Sequence, residues 1–202
     1  MINENFIFVG AALNLIGSIN YVIDTIKGKT KPNRVTWFLW ALAPMIAFGA
    51  MLGQGVSITG SLMTFMVGFG PLLVLLASFV NKKSVWKITK FDIICGALSL
   101  VGIGLWFLTR TGEIAIAFSI LADGLAALPT LVKAFKEPET ESYLVFLLGA
   151  ISAGITLLAA KVFDFTHIGF AMYIFIICVI VFLLVKFRIG PKITKQFAIG
   201  KS

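Results

Sequence analysis

Seven apolar runs, at about 5–26, 35–52, 58–80, 91–108, 113–135, 143–160 and 165–187, leave this chain few ways to fold. Each is about 18 to 23 residues long, the length at which a helix crosses the hydrocarbon core of a bilayer. Inside lipid every backbone N–H and C=O must be bonded within the protein, so only helices and closed barrels span. Barrel strands alternate polar and apolar residues, and these runs do not. Composition agrees, with 59% hydrophobic and 13% charged residues and a mean hydropathy of +1.01. The expected fold class is an all-α membrane protein of seven transmembrane helices.

The basic residues set an orientation. Lys27, Lys29, Lys31 and Arg34 follow the first run; Lys82, Lys83, Lys87 and Lys90 follow the third; Lys133 and Lys136 end the fifth. Lys186, Arg188, Lys192, Lys195 and Lys201 follow the seventh, which puts fifteen on one side against Arg110 and Lys161 on the other. The excess of lysine and arginine on cytoplasmic loops predicts an external N-terminus and a cytoplasmic tail at 188–202. The +8 net charge is this asymmetry and not a nucleic-acid footprint, which would need a basic patch on a soluble face. Met1–Asn5 carries no basic stretch of the kind that opens a cleaved signal peptide, so the first run is expected to stay. Cys95 and Cys178 both fall inside apolar runs and are read as packing residues, with neither a metal nor a cofactor expected.

The chain also says nearly the same thing twice, 106 residues apart. Lys31-Pro32-Asn33-Arg34-Val35-Thr36-Trp37 aligns with Glu137-Pro138-Glu139-Thr140-Glu141-Ser142-Tyr143 without a gap. At that offset runs 1–3 map onto runs 5–7, and run 4 is left between them. An odd number of crossings per step gives both halves the same orientation, the parallel-repeat arrangement. The expected organisation is a single membrane domain: repeat 1 at about 5–80, a linker helix at about 91–108 and repeat 2 at about 113–187. Gly96, Gly102 and Gly104 in the linker are small enough for close helix approach, and Gly49 and Gly53 form a candidate packing face in run 2. Repeat interfaces in membrane proteins commonly hold a solute pathway.

Leu128-Pro129-Thr130-Leu131-Val132-Lys133-Ala134-Phe135-Lys136, followed by Thr140-Glu141-Ser142, resembles the second signature of the PQ-loop superfamily. That superfamily includes SWEET-type sugar transporters, lysosomal amino-acid exporters and the KDEL receptor. The likeness covers the whole chain in layout; the stretch Asp24–Trp37 resembles a bacterial branch, which implies a bacterial cell membrane. The glutamine of the proline–glutamine pair is Thr130 here, and Ile23-Asp24 occupies the matching place in the first half. Of the four hinge prolines that SWEET-type proteins carry, Pro44 and Pro129 fill two places, while Ile23 and Ala150 stand in the others. SWEET-type pockets have asparagines in the third and seventh helices; Thr64, Tyr173 and Cys178 are the polar or soft residues of those runs here.

Asp123 is the sharpest single residue. It lies ten residues from both Glu113 and Lys133, at the expected bilayer midplane. An aspartate facing lipid at that depth costs about 2.5–3.5 kcal/mol, so it is expected to face the bundle interior as a substrate-binding or proton-coupling group. A buried structural aspartate bonded to a neighbouring helix is the bland alternative. The offset maps Asn14 to Ile120, one turn from Asp123, so the halves are expected to aim Asn14 and Asp123 at one central cavity. Ser18 and Ser119 continue those faces, with interhelical bonding as the alternative. Trp40, a turn deeper than the interfacial Trp37, is a candidate pocket wall, and Thr64 and Tyr173 complete the candidate set. Asp24, three residues before Lys27, is expected to pair with the basic loop. Pro44, Pro71 and Pro129 lie within runs and permit bending.

An enzyme is not expected. His167 is the only histidine, and no nucleophile–base constellation or phosphate loop is visible. The expected function is facilitative or proton-coupled transport of a small polar solute, sugar- or amino-acid-like, by alternating access. The alternative is a receptor or accessory membrane protein on the same fold, as the KDEL-receptor branch implies. A receptor for a peptide terminus needs a charged pocket, whereas the sequence offers one clear interior charge, Asp123. The expected partners are the lipid bilayer and the solute; a homo-oligomer is compatible with the sequence.

Overall fold

The computed structural model describes residues 2–3, 5–53, 55, 58–84, 86–109 and 112–199. Arg110, Lys201 and Ser202, which enter the charge asymmetry and the tail, lie outside the described residues. Every regular element among the described residues is helical: α1 (Phe6–Ile26), α2 (Arg34–Gly53), α3 (Ile58–Ala77), α4 (Lys90–Leu108), α5 (Gly112–Lys136), α6 (Tyr143–Ala159), α7 (Phe165–Phe187) and α8 (Ile189–Ile199). A single 3-10 turn, Pro138–Thr140, joins α5 to α6. Four helices are long and apolar enough to cross a membrane: α1, α4, residues 116–136 of α5, and α7. Shorter apolar helical segments at 34–49, 64–77 and 143–159 lie in α2, α3 and α6.

The exposed surface is rich in large apolar side chains, while the interior mixes an apolar core with buried polar groups. The outer surface carries Leu76, Ile93, Ile94, Val101, Phe107, Leu108 and Leu158, all more than half exposed. The interior holds Thr25, Asn33, Thr36, Ser78, Ser99, Thr130, Lys133 and Glu141. In lipid an apolar exterior is unpenalised, while each polar group must find a partner inside the protein.

Helix α1 packs against α6 and α3, α2 against α3, and α6 against α7. Helix α5 packs against α7 and along α4, and α4 also touches α2. Small residues set these distances. A Cβ added at Gly17 would lie 3.1 Å from the Val145 backbone on α6. One at Gly96 would lie 2.7 Å from Val35 on α2, and one at Gly102 would lie 2.9 Å from Ala122 on α5. Beside that contact the Ser99 hydroxyl donates to the Ala122 carbonyl at 2.7 Å. Gly104 faces open space, as do Gly49 and Gly53. Among the described residues nothing lies within 4 Å of a Cβ built at Gly49 or Gly53, so no close contact is seen at the expected packing face.

Polar groups gather at the lysine-rich end. Asn33 caps α2 by accepting from the Val35 N–H at 3.1 Å, and its amide donates to Asp92 at 3.0 Å. Asp92 in turn closes a capping box with Thr89 at the start of α4. Arg34 donates to the Ser78 carbonyl at 2.6 Å and lies 4.2 Å from the Phe79 ring, tying α2 to the end of α3. Asn81 donates to the Ile26 carbonyl at 2.8 Å, satisfying one of the orphan acceptors that end α1. Asp24 pairs with Lys29 at 3.5 Å.

The paired surroundings of Gly102 and Gly104 give a direct check on the α4 contact. Gly102→Ala is expected to destabilise the detergent-solubilised protein by about 1–3 kcal/mol through overpacking against backbone atoms. Gly104→Ala is expected to be neutral or slightly stabilising, because alanine favours helix and meets nothing. Thermal unfolding of the two variants beside the parent measures the difference.

Candidate functional site

Among the helices α1 to α7, with α4 contributing Ile103 and Trp106, lies a cavity of about 400 Å³ that contains Asn14, Thr64, Ser119 and Asp123 in its wall. Pro44, Trp106, Ser152, Thr156, His167 and Phe170 complete its wider part. A second chamber of about 100 Å³ continues towards the lysine-rich end, lined by Ser18, Trp37, Trp40, Pro71, Phe146 and Cys178. Asn14 and Asp123 line both chambers, so they stand where the two meet. The walls are mainly apolar, with the polar groups few and separate.

Several polar groups in the wall are bonded within the protein. The Tyr173 hydroxyl on α7 donates to Asp123 Oδ2 at 2.8 Å, which orients the carboxylate. Tyr173 is thus a partner of Asp123 and is not itself in the chamber lining. The Ser18 hydroxyl donates to the Asn14 carbonyl at 2.9 Å, and the Ser119 hydroxyl to the Ile116 carbonyl at 2.9 Å. Those two serines spend their protons on their own helices. Asn14 Oδ1 and Trp40 Nε1 are buried and have no hydrogen-bond partner. Gly70 on α3 lets α1 come close here: a Cβ at this position would lie 3.2 Å from Asn14 Oδ1 and would collide with Ser18 Oγ.

The prolines occupy different surroundings. Pro44 lines the wide chamber and Pro71 the narrow one. Pro129 is fully buried in α5, outside both linings. Its ring disrupts the preceding helical turn, and near it the Ala126 carbonyl accepts from the Thr36 hydroxyl of α2 at 2.7 Å.

Beyond the narrow chamber, towards the lysine-rich end, lie two closely packed layers. The first is aromatic: Trp40 lies 5.3 Å from Trp37 and 6.5 Å from Phe146, and Trp37 lies 4.8 Å from Tyr21, all between ring centroids. The second is ionic. Lys133 Nζ meets Glu141 Oε1 at 2.5 Å with both side chains fully buried. The Tyr21 hydroxyl donates to Glu141 Oε2 at 2.7 Å, and the Lys133 ammonium also donates to the Lys31 carbonyl. Lys31 N–H donates in turn to the Thr140 carbonyl at 2.9 Å. The sequence offered Asp123 as the one clear interior charge, and the structure corrects this: the turn after α5 folds back and buries Lys133 against Glu141.

At the wide end Asp164 caps α7 by accepting from the His167 N–H at 2.9 Å and contacts His167 Nδ1 at 2.6 Å. These bonds from His167 hold the exposed Asp164 carboxyl below the usual carboxylate range. Among the described residues no three His, Cys, Asp or Glu side chains gather where they could hold a metal. The residues missed in the sequence are Tyr21, Lys133 and Glu141, and the wall residues Trp106, Ser152 and Thr156. Only the spacing between Lys133 and Glu141 hinted at the ion pair, and eight residues across an unknown turn fix no distance.

The buried pair predicts an asymmetric mutant series. Glu141→Gln leaves the Lys133 ammonium without a counter-charge and is expected to destabilise by about 3–5 kcal/mol. Replacing both partners, Lys133→Met with Glu141→Gln, is expected to recover most of that loss, because no lone charge remains. A double-mutant cycle on thermal or denaturant unfolding measures the coupling.

Comparison of the chain with protein-family models, with curated proteins and with solved structures finds no match.

Proposed function

We propose that the protein is a multi-pass membrane transporter of a small polar solute, working by alternating access. The observation that carries this is the blind cavity. Asn14 and Asp123 meet at its waist, one end is wide, and the other is closed by the Tyr21–Trp37–Trp40 layer and the Lys133–Glu141 pair. A site at mid-depth with a removable plug on one side is what a carrier needs. A channel would need an open path, and catalysis would need a reacting group beside the site. In this scheme the plug parts to release solute at the lysine-rich face, and Pro44 and Pro129 are the bending points. The transport is facilitative, or proton-coupled through Asp123.

The proposed architecture is two parallel three-helix repeats around a linker, of the PQ-loop and SWEET-like kind, with α4 as the linker. Helix boundaries support it: the start of α1 at residue 6 and the end of α2 at residue 53, moved by 106, fall on the start of α5 at 112 and the end of α6 at 159. So does packing. Helix α3 contacts both α1 and α2, and α7 contacts both α5 and α6. The halves differ where α4 intervenes: α1 packs closely on α6, while α4 fills much of the space between α5 and α2. The basic residues orient the lysine-rich end to the cytoplasm of a bacterial cell membrane, with the N-terminus outside.

Purified protein in liposomes, tested with radiolabelled sugars and amino acids with and without a pH gradient, tests transport. If Asp123 couples protons, Asp123→Asn is expected to abolish gradient-driven uptake and to spare exchange, since the amide mimics the protonated acid. No flux of any solute, or equal flux with and without protein, sinks the transport proposal. Single cysteines near Asn3 and near Lys195, labelled with an impermeant reagent in intact cells, test orientation. The first is expected to label and the second not.

A further inference from the structure

We infer that the waist of the cavity is built to hold the ammonium group of a small organic amine that carries no carboxylate. The inference rests on the transport proposal for its physiological sense, though not for its chemistry. Asp123 is the only carboxylate in the wall of either chamber, and no lysine or arginine lines them among the described residues. Tyr173 donates to Oδ2, and the Trp40 indole N–H faces the same carboxylate without completing a hydrogen bond of normal geometry, so Asp123 still lacks a full set of donors. Asn14 lines the same wall, with its Oδ1 buried towards Gly70 of α3 and without a donor. A buried carboxylate in an apolar wall with no lysine or arginine beside it asks for a ligand that brings donors and positive charge.

The rest of the wall narrows the class. Ala43, Val67, Ile103, Phe170 and Ile174 present an apolar surface to whatever the ammonium is attached to. Trp106 in the wide chamber and Trp40 in the narrow one add indole faces, which suit an organic cation. A bare inorganic cation would need several more oxygens than the waist provides. An amino acid or an organic anion would bring a carboxylate, and the basic side chain in the wall, His167, is already engaged by Asp164. The hydroxyls of Ser119 and Thr156 are already donated to the Ile116 and Ser152 carbonyls. Leaving a carboxylate unpaired in an apolar wall is costly. A cavity of about 400 Å³ holds a ligand of roughly the size of an arylalkylamine.

The test uses four probes of one shape: phenethylamine, phenethyl alcohol, phenylpropionate and phenylalanine. Binding of tritiated phenethylamine to the full chain in detergent is measured by scintillation proximity, with the other three as competitors. Saturable binding is expected, with phenylalanine, the anion and the alcohol each at least about tenfold weaker. Asp123→Asn is expected to lower affinity at least about tenfold, and Asp123→Glu to keep most of it. Unfolding temperatures of both variants establish that they are folded. Competition by phenethyl alcohol or phenylalanine as strong as by the amine overturns the amine site, and so does a folded parent with no saturable binding. The same protein in liposomes separates the two proposals. Amine binding without flux overturns transport and leaves the site standing, whereas flux of a sugar that the amine does not inhibit leaves transport standing and overturns the site.

Discussion

A lysine and a glutamate buried together at the end of α5 set the terms for much of this structure. Neither charge of Lys133 and Glu141 is tolerable alone in a dry interior, and their attraction offsets desolvation only if the remaining donors and acceptors are also met. The Lys31 carbonyl and the Tyr21 hydroxyl meet them. To do so, the connection between α1 and α2 must lie against the connection between α5 and α6. The same requirement places Tyr21 under Trp37 and so stacks the aromatic layer above the ions. One satisfied charge pair thereby fixes four helix ends and seals one end of the bundle.

With that end sealed, the interior void becomes a site with a direction. Its mouth lies towards Trp106, His167 and Phe170, its waist at Asn14 and Asp123, and its floor at Trp40 and Phe146. Apolar walls strengthen any charge interaction at the waist, because little water is present to screen it. The fold contributes by converging helices. Asn14 comes from α1, Asp123 from α5, and the hydroxyl that orients Asp123 from Tyr173 on α7. Close approach of α1 and α3 at Gly70 packs Asn14 and Ser18 against α3.

How far each feature was legible depended on whether its cause was local. Asp123 and Asn14 were readable because depth along a helix follows from residue counting, and a polar residue at mid-depth has only the interior to face. Tyr173, Thr64 and Ser119 were readable as polar residues in apolar runs, though not in their separate roles as carboxylate donor, wall and self-bonded hydroxyl. Lys133 misled because a lysine at the end of an apolar run ordinarily reaches for the interface. Only the folding back of Pro138–Thr140 turned it inward. Glycines show the same limit: Gly96, Gly102 and Gly104 look alike in the chain, yet two meet another helix and one meets open space.

The sequence by itself determined that the chain is helical, that its helices are apolar on the outside, and where along each helix a polar group sits. Those properties come from backbone hydrogen bonding in an apolar medium and from the constant rise of a helix, both of which act within one segment. Tertiary structure alone decided which polar groups meet, which end of the cavity is closed, and which glycines carry a helix contact. Those outcomes depend on how helices rotate and approach one another, and a single segment holds no record of its neighbours. The Lys133–Glu141 pair belongs wholly to this second kind, because its two charges become compatible with a buried position only once the turn between them has closed.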